Sequence, residues 1–399
     1  MKKESKEHIL LYKILFSVLI LLVYIIGRKI PLYGVDVSAY QNVSLDAQAV
    51  FAQTMSGDFN DCSIFILGLW PYMIANLFAM LIMAIASADK STQLSTKKLN
   101  HITLIVMMII ASIQAILKIR KLVFFDFGNI FISRGLVFVE LIAGMALVVY
   151  MCDVCQKYGI GGRMAVFLAN IYSGIFSMMK GRSINELWLP LVIGFVEALI
   201  MIILENTEMH IPVQRVSIHS IYADKNYIAF KMIPVGVMPI MFASAFFMLV
   251  QMVVTLLYRL FPENYTLYIV SNNMIMTQPI GMMTYLGIVC LLNMLFTMLT
   301  ILPSKMAEGL LKTGDCLEDI YPGKPTKRYL VGTVFRLSIS SSLLLCIFLG
   351  IPFYFLYLGL IDSKLVMLPS SLMMSTGIWI TFYREAEVYR HLELYKPLI

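Results

Sequence analysis

Charge is scarce in this sequence. Only 14% of its 399 residues are Asp, Glu, Lys or Arg, where a soluble domain carries about 25%. Histidine is rarer still, with His8, His101, His210, His219 and His391 standing alone. Six cysteines are too few and too scattered for a disulfide framework. Cys152 and Cys155 form a lone CxxC with no second pair and no histidine nearby. Cys290 and Cys346 lie inside apolar stretches. Small apolar packing explains these better than a metal or redox site. HExxH, GxSxG, P-loop and EF-hand patterns are all missing. These absences exclude a water-soluble single core, a disordered chain and a disulfide-stapled secreted domain. They leave no catalytic constellation, so the expectation is no enzyme, no cofactor and no metal. Driving energy for any transport then comes from a partner or a gradient.

What is present is apolar. Hydrophobic residues make up 59% of the chain and the mean hydropathy is +0.81. Runs without charge cover 14–27, 62–88, 99–117, 135–151 (broken by Glu140), 164–179, 187–204 (broken by Glu197), 232–258, 265–304, 337–361 and 365–383. About 20 residues cross the hydrocarbon core as a helix, and flanking cations such as Lys13 and Arg28 extend shorter runs by snorkelling. The expected fold is an all-α membrane protein of ten transmembrane helices. An even number puts both termini on one side. With the N-terminus inside, 21 lysines and arginines fall on inner segments and 10 on outer ones. That bias favours both termini in the cytoplasm, although the basic outer segment around Lys118 runs against it. The first run lacks a small-residue cleavage site and reads as a retained span.

Several residues at membrane depth ask for a reason. Pro71 lacks an amide hydrogen, so a helix through 62–88 should break there, giving a half-helix and then a full span, or a plain kink. Pro239, followed by Ala243, Ser244 and Ala245, reads as a bend in a closely packed seventh span. Glu140 and Glu197 are carboxylates inside spans, which fits an ion path or a paired structural group. Asn76, Gln114, Asn293 and Thr297 read as interhelical glue or as a polar seam that opens. The 29 methionines supply soft side chains for adaptable surfaces or simply fill the core. Residues 213–231 alternate and turn at Ala223-Asp224-Lys225-Asn226, which predicts a β-hairpin. A basic loop covers 305–336 with Tyr321-Pro322-Gly323 at its tip. It fits a docking surface or an orientation signal alone.

Ordered motifs then carry a resemblance over nearly the whole chain. They are Ile30-Pro31-Leu32-Tyr33-Gly34-Val35-Asp36, Ser63-Ile64-Phe65-Ile66-Leu67-Gly68-Leu69-Trp70-Pro71-Tyr72-Met73, Gly159-Ile160-Gly161, and Gly236-Val237-Met238-Pro239-Ile240-Met241-Phe242-Ala243-Ser244. Pro303, Ala307, Leu310, Gly314, Pro322, Gly323 and Thr326 complete the set. Together they resemble the SecY family, the channel subunit of the protein translocon. The resemblance implies an hourglass of two pseudo-symmetric halves, 1–180 with spans 1–5 and 181–399 with spans 6–10. It implies a plug half-helix at about 55–68, with Gly57, Asp58, Phe59, Ser63, Ile64 and Phe65. It also implies an apolar pore ring at Met73, Leu77, Met164, Leu168, Met241 and Met374. Residues 73 and 77, like 164 and 168, share a helix face. A lateral gate between spans 2–3 and 7–8 would carry Asn76, Asn293 and Thr297. A SecA-type ATPase would dock on loops 206–232 and 305–328 through Arg215, Lys225, Tyr321, Lys324, Lys327 and Arg328.

Departures from the family pattern sharpen the resemblance. Tyr321 replaces an arginine, Ile233 an asparagine and Arg163 a glycine, and the ring is rich in methionine. These resemble the accessory SecY proteins of Gram-positive bacteria. The expected function is passage of unfolded secretory preproteins, such as glycosylated serine-rich adhesins, across the bacterial plasma membrane. Expected partners are an accessory SecA paralogue, small SecE/SecG-like or accessory membrane subunits, and lipid, without nucleic acid. The competing readings are a housekeeping SecY channel, an ion-coupled transporter built on Glu140 and Glu197, and an intramembrane hydrolase that no residue nominates.

Overall fold

Backbone in hydrocarbon has to satisfy its own hydrogen bonds, which makes helices of the apolar runs. The structure, a computed structural model, describes residues 9–36, 63–88, 96–120, 122–124, 130–215, 226–318 and 320–394. In chain order the elements are α1 (Ile9–Gly27), α2 (Trp70–Ala88), α3 (Thr96–Ile119), α4 (Ile130–Tyr158), α5 (Gly162–Met179), α6 (Ile184–Asn206), β1 (Glu208–Arg215) and β2 (Asn226–Lys231). There follow α7 (Met238–Leu260), α8 (Tyr265–Asn273), α9 (Pro279–Ile301), α10 (Pro303–Thr313), β3 (Asp315–Leu317), α11 (Lys324–Tyr357) and α12 (Leu368–Leu394). Ten of the described helices run 18 residues or more, one for each span read from the sequence. Among the described residues, 7 helices are both long and apolar enough to cross a membrane by composition. α2, α5 and α12 fall short: the apolar part of α2 covers only Trp70–Ile82, and charged and polar side chains interrupt the other two, among them Arg163 and Asn170 in α5 and Ser370, Ser371 and Arg384 in α12.

Proline sets where many of these helices begin. Pro71, Pro239, Pro279, Pro303, Pro325 and Pro369 each occupy the first or second position of their helix. The first turn has no use for the missing N–H, and the fixed φ is already helical. Pro239 therefore starts α7 and does not bend it, a correction to the sequence reading. Residues 232–237 form turns ahead of it. Gly236 takes φ +64, and a Cβ there would sit 2.6 Å from Glu205 Oε1. The long run 265–304 is likewise two helices. α8 ends at Asn273, and the backbone of Ile275 presses so closely on Gly281 that no side chain fits there.

The chain divides into two compact units, residues 1–191 with 361–399, and residues 192–360. In the first, α2 packs on α3, α3 on α4 and α4 on α5, while α1 touches α4, α5 and α12. Its helix ends are joined by directional bonds. Tyr24 donates to Asn170 Oδ1 at 2.9 Å and Arg28 donates to Ser173 at 3.1 Å. Ser17 accepts from the Ile160 amide at 2.7 Å, and Glu385 accepts from the Gly161 amide at 2.9 Å. Trp379 donates to the Tyr172 hydroxyl at 2.8 Å. Arg182 pairs with Glu186 at 2.9 Å and Asp362 at 2.6 Å. The hydrogen bond to Glu186 holds the Arg182 guanidinium above its ordinary pKa.

The second unit has a continuous apolar core. Ile211, Phe230, Ala307, Leu317, Leu330, Val334 and Leu337 form one buried cluster, with Met298 and Ile301 of α9 packed against it. Over this cluster lies a three-stranded antiparallel sheet of order β2-β1-β3. The hairpin is thus present but starts earlier than its alternation suggested, at Glu208. Its middle strand β1 also pairs with β3 of the later loop, Val213 with Leu317 and Arg215 with Asp315.

Candidate functional site

The segment between α1 and α2 is held at its rear end with little freedom. Residues 64–69 are turns, and 55–62, which hold most of the expected half-helix with Gly57, Asp58 and Phe59, lie outside the described residues. Ser63 bridges to Pro31, and the Ile64 amide donates to the Ile30 carbonyl at 3.1 Å. The Phe65 ring stacks on Tyr24, with centroids 5.8 Å apart and planes 7° from parallel. It fills the notch over Gly27, and the Ile64 carbonyl fills a second notch over Gly144. Any Cβ at either glycine would collide. The seat thus exists because α1 and α4 each carry glycine where this turn crosses them.

The ring candidates of the first unit are apolar and covered. Met73 and Leu77 on α2 are each 3% exposed, and Met374 on α12 is 1% exposed. Leu168 on α5 is buried and Met164 half-buried. In the second unit Met241 lies in the first turn of α7 and is buried. Its neighbour Phe242 meets Phe296 of α9 edge to face at 5.1 Å between centroids.

The gate candidates have separate surroundings. Asn76 is half-buried on α2. Asn293 is fully buried and its Nδ2 donates to Ser341 at 2.8 Å and Ser342 at 2.9 Å, both on α11. Thr297 is buried one turn further along α9. The amide of Asn293 is therefore glue between α9 and α11.

The docking candidates fall partly outside the described residues, as Lys225 does; Arg215 is described only as backbone in β1, opposite Asp315. Tyr321, Lys324, Lys327 and Arg328 are exposed at and before the start of α11, beside the sheet's third strand. Among the in-span carboxylates, Glu140 accepts a hydrogen bond from the Tyr33 amide at 3.1 Å and ties α4 to the segment after α1. Glu197 is 2% exposed. Sequence reasoning missed β3 and the partners of Arg163. A three-residue strand has no periodicity to detect, and a residue that merely departs from a pattern does not announce what it touches. Among the described residues no cluster of His, Cys, Asp or Glu could hold a metal ion.

Comparisons with known proteins agree with this architecture. The SecY family model matches residues 63–383. The chain is similar to the accessory Sec system protein translocase subunit SecY2 of Staphylococcus carnosus, 30% identical across 89% of this chain and 96% of that one. Its counterpart in Streptococcus sanguinis is 26% identical over 100% of both chains. Among solved structures, one described as a protein-conducting channel superposes with a TM-score of 0.68 at 18% identity, covering 97% of this chain and 94% of that one. A SecY structure described by a plug domain that stabilises its closed state gives 0.66 at 18% identity, with the same coverage. A multi-pass membrane protein with these helices, this turn between α1 and α2 and a family match from Ser63 to Tyr383 belongs to the SecY family, within its accessory Sec subunits.

Proposed function

We propose that this chain is the protein-conducting subunit of an accessory Sec translocase in a bacterial plasma membrane, with both termini cytoplasmic. It conducts and does no chemistry of its own. An unfolded preprotein, such as a glycosylated serine-rich adhesin, passes the apolar side chains at 73, 77, 164, 168, 241 and 374. The plug at about 55–68 closes the resting channel, and Asn76, Asn293 and Thr297 lie along a lateral gate. The observation that carries this reading is the SecY family match over residues 63–383. The methionines among these positions support it, since flexible thioethers fit varied side chains and an apolar constriction shuts by dewetting.

Partners follow from two surfaces. The sheet and the start of α11 expose Lys324, Lys327 and Arg328 on a rigid base, which supports docking of a SecA-type ATPase there. An apolar groove of about 800 Å³ runs along α1 between α5 and α12, lined by Ile14, Leu21, Ile25, Ala169, Phe176 and Trp379. From Ile14 to Lys29 it extends roughly 22 Å at 1.5 Å per residue, most of the hydrocarbon thickness. That supports a single-span small subunit as its occupant.

The test is site-specific photocrosslinking from positions 73, 164 and 241 to a stalled secretory chain. Adducts at all three positions are expected. Adducts only to lipid or to neighbouring helices overturn the reading.

A further inference from the structure

Arg163 stands one residue before Met164, and Tyr72 stands one residue before Met73. Their side chains meet: the guanidinium lies over the Tyr72 ring, 4.3 Å from its centroid. The same guanidinium donates through Nη2 to Asp153 Oδ1 of α4 at 2.9 Å. Gly161 and Gly162, both with positive φ, turn the chain from α4 into α5 and bring Arg163 back toward Asp153. The Arg163 side chain is 34% exposed, yet its Nε is shut away from solvent with no acceptor. That is the state of a guanidinium lying flat on a ring and not reaching for water. A planar guanidinium can stack and pair at once, and a lysine ammonium cannot.

We infer that Arg163 is a positioning residue that sets the resting spacing of Met73 and Met164 by strutting α5 against Tyr72 of α2, with Asp153 aiming its guanidinium. This rests on the reading of Met73 and Met164 as constriction residues, but the spacing is measurable without any exported chain. Widening the gap between the two methionines requires ring and guanidinium to part. The strut therefore favours the narrow arrangement.

The experiment places cysteines at both positions (Met73→Cys with Met164→Cys) in the full chain in membranes and measures the rate of bridging by a short bismaleimide. Arg163→Ala and Tyr72→Leu should each slow bridging about five-fold, the population change that a cation–π contact of ordinary strength supports. Resting ion conductance should rise in both. Asp153→Asn keeps the stack and should slow bridging less than Tyr72→Leu. Unchanged bridging in both Arg163→Ala and Tyr72→Leu overturns the inference. So does an Asp153→Asn effect larger than that of Tyr72→Leu, because the ion pair alone would then set the spacing. Slowed bridging in a chain whose positions 73 and 164 never crosslink to a secretory protein upholds the strut and removes the constriction reading.

Discussion

In residues 1–191 and 361–399 a small apolar cluster around Ile20, Cys155 and Ala165 is supplemented by single polar side chains and glycine notches that fix how the helices meet: Tyr24 on Asn170, Ser17 on Ile160, Phe65 over Gly27, Ile64 over Gly144. In residues 192–360 a contiguous apolar cluster joins the sheet to α9, α10 and α11, and polar contacts such as Asn293 with Ser341 are secondary to it. The difference is one of tolerance. Directional contacts hold an interface in one geometry and can be exchanged singly for another. A close-packed cluster resists deformation and moves as a body. A unit of the second kind suits a base on which something pushes. A unit of the first kind suits helices that have to part and return.

The strongest way to break the comparison is to hollow the cluster. Leu330 is fully buried in it, so Leu330→Ala should cost about 2–5 kcal/mol. Thermal unfolding in detergent should fall accordingly. Hydrogen exchange should speed up throughout 208–215, 226–231 and 315–317, while α1 and α5 keep their protection. A loss of protection confined to β3 would show that the sheet is not one body with the helices beneath it. Next is Gly144→Ala, whose new methyl meets the Ile64 carbonyl. Overpacking there should cost about 1–3 kcal/mol and should raise protease access around 63–69 more than anywhere in the other unit. The smallest expected effect is Asn293→Ala, about 1 kcal/mol by the measured range for such bonds in membranes. Ser338, Ser341 and Ser342 each keep a backbone carbonyl acceptor within their own helix, so little is orphaned. A loss as large as that of Leu330→Ala, read by the same unfolding assay, would mean that hydrogen bonds and not apolar packing hold α9 to α11.

The helical architecture was legible because its signal is long: uncharged runs of the right length sum many weak preferences. The ordered motifs from Ile30 to Thr326 made the family legible too. Where the sequence misled, the cause was local. Pro239 inside an apolar run looks like a bend, yet the run contains six non-helical residues ahead of the true start, and hydropathy cannot separate these. Glu140 was open between an ion-path and a paired structural carboxylate, and its partner is a backbone amide on Tyr33, which leaves no mark in side-chain spacing. Arg163 was visible as a substitution. Its meaning depended on Tyr72 and Asp153, which approach it only once α2, α4 and α5 are assembled.

The strand order β2-β1-β3 has a consequence for how the chain is made. Arg215 pairs with Asp315, so the central strand waits for a partner roughly 100 residues downstream, about 5–20 s of synthesis at ordinary elongation rates. Through that interval one side of β1 is a row of unsatisfied amides and carbonyls, an open template for stray pairing. The late arrival of a tripeptide strand closes it, and the nascent protein stops being adhesive at that spot only when α9 and α10 have already been built.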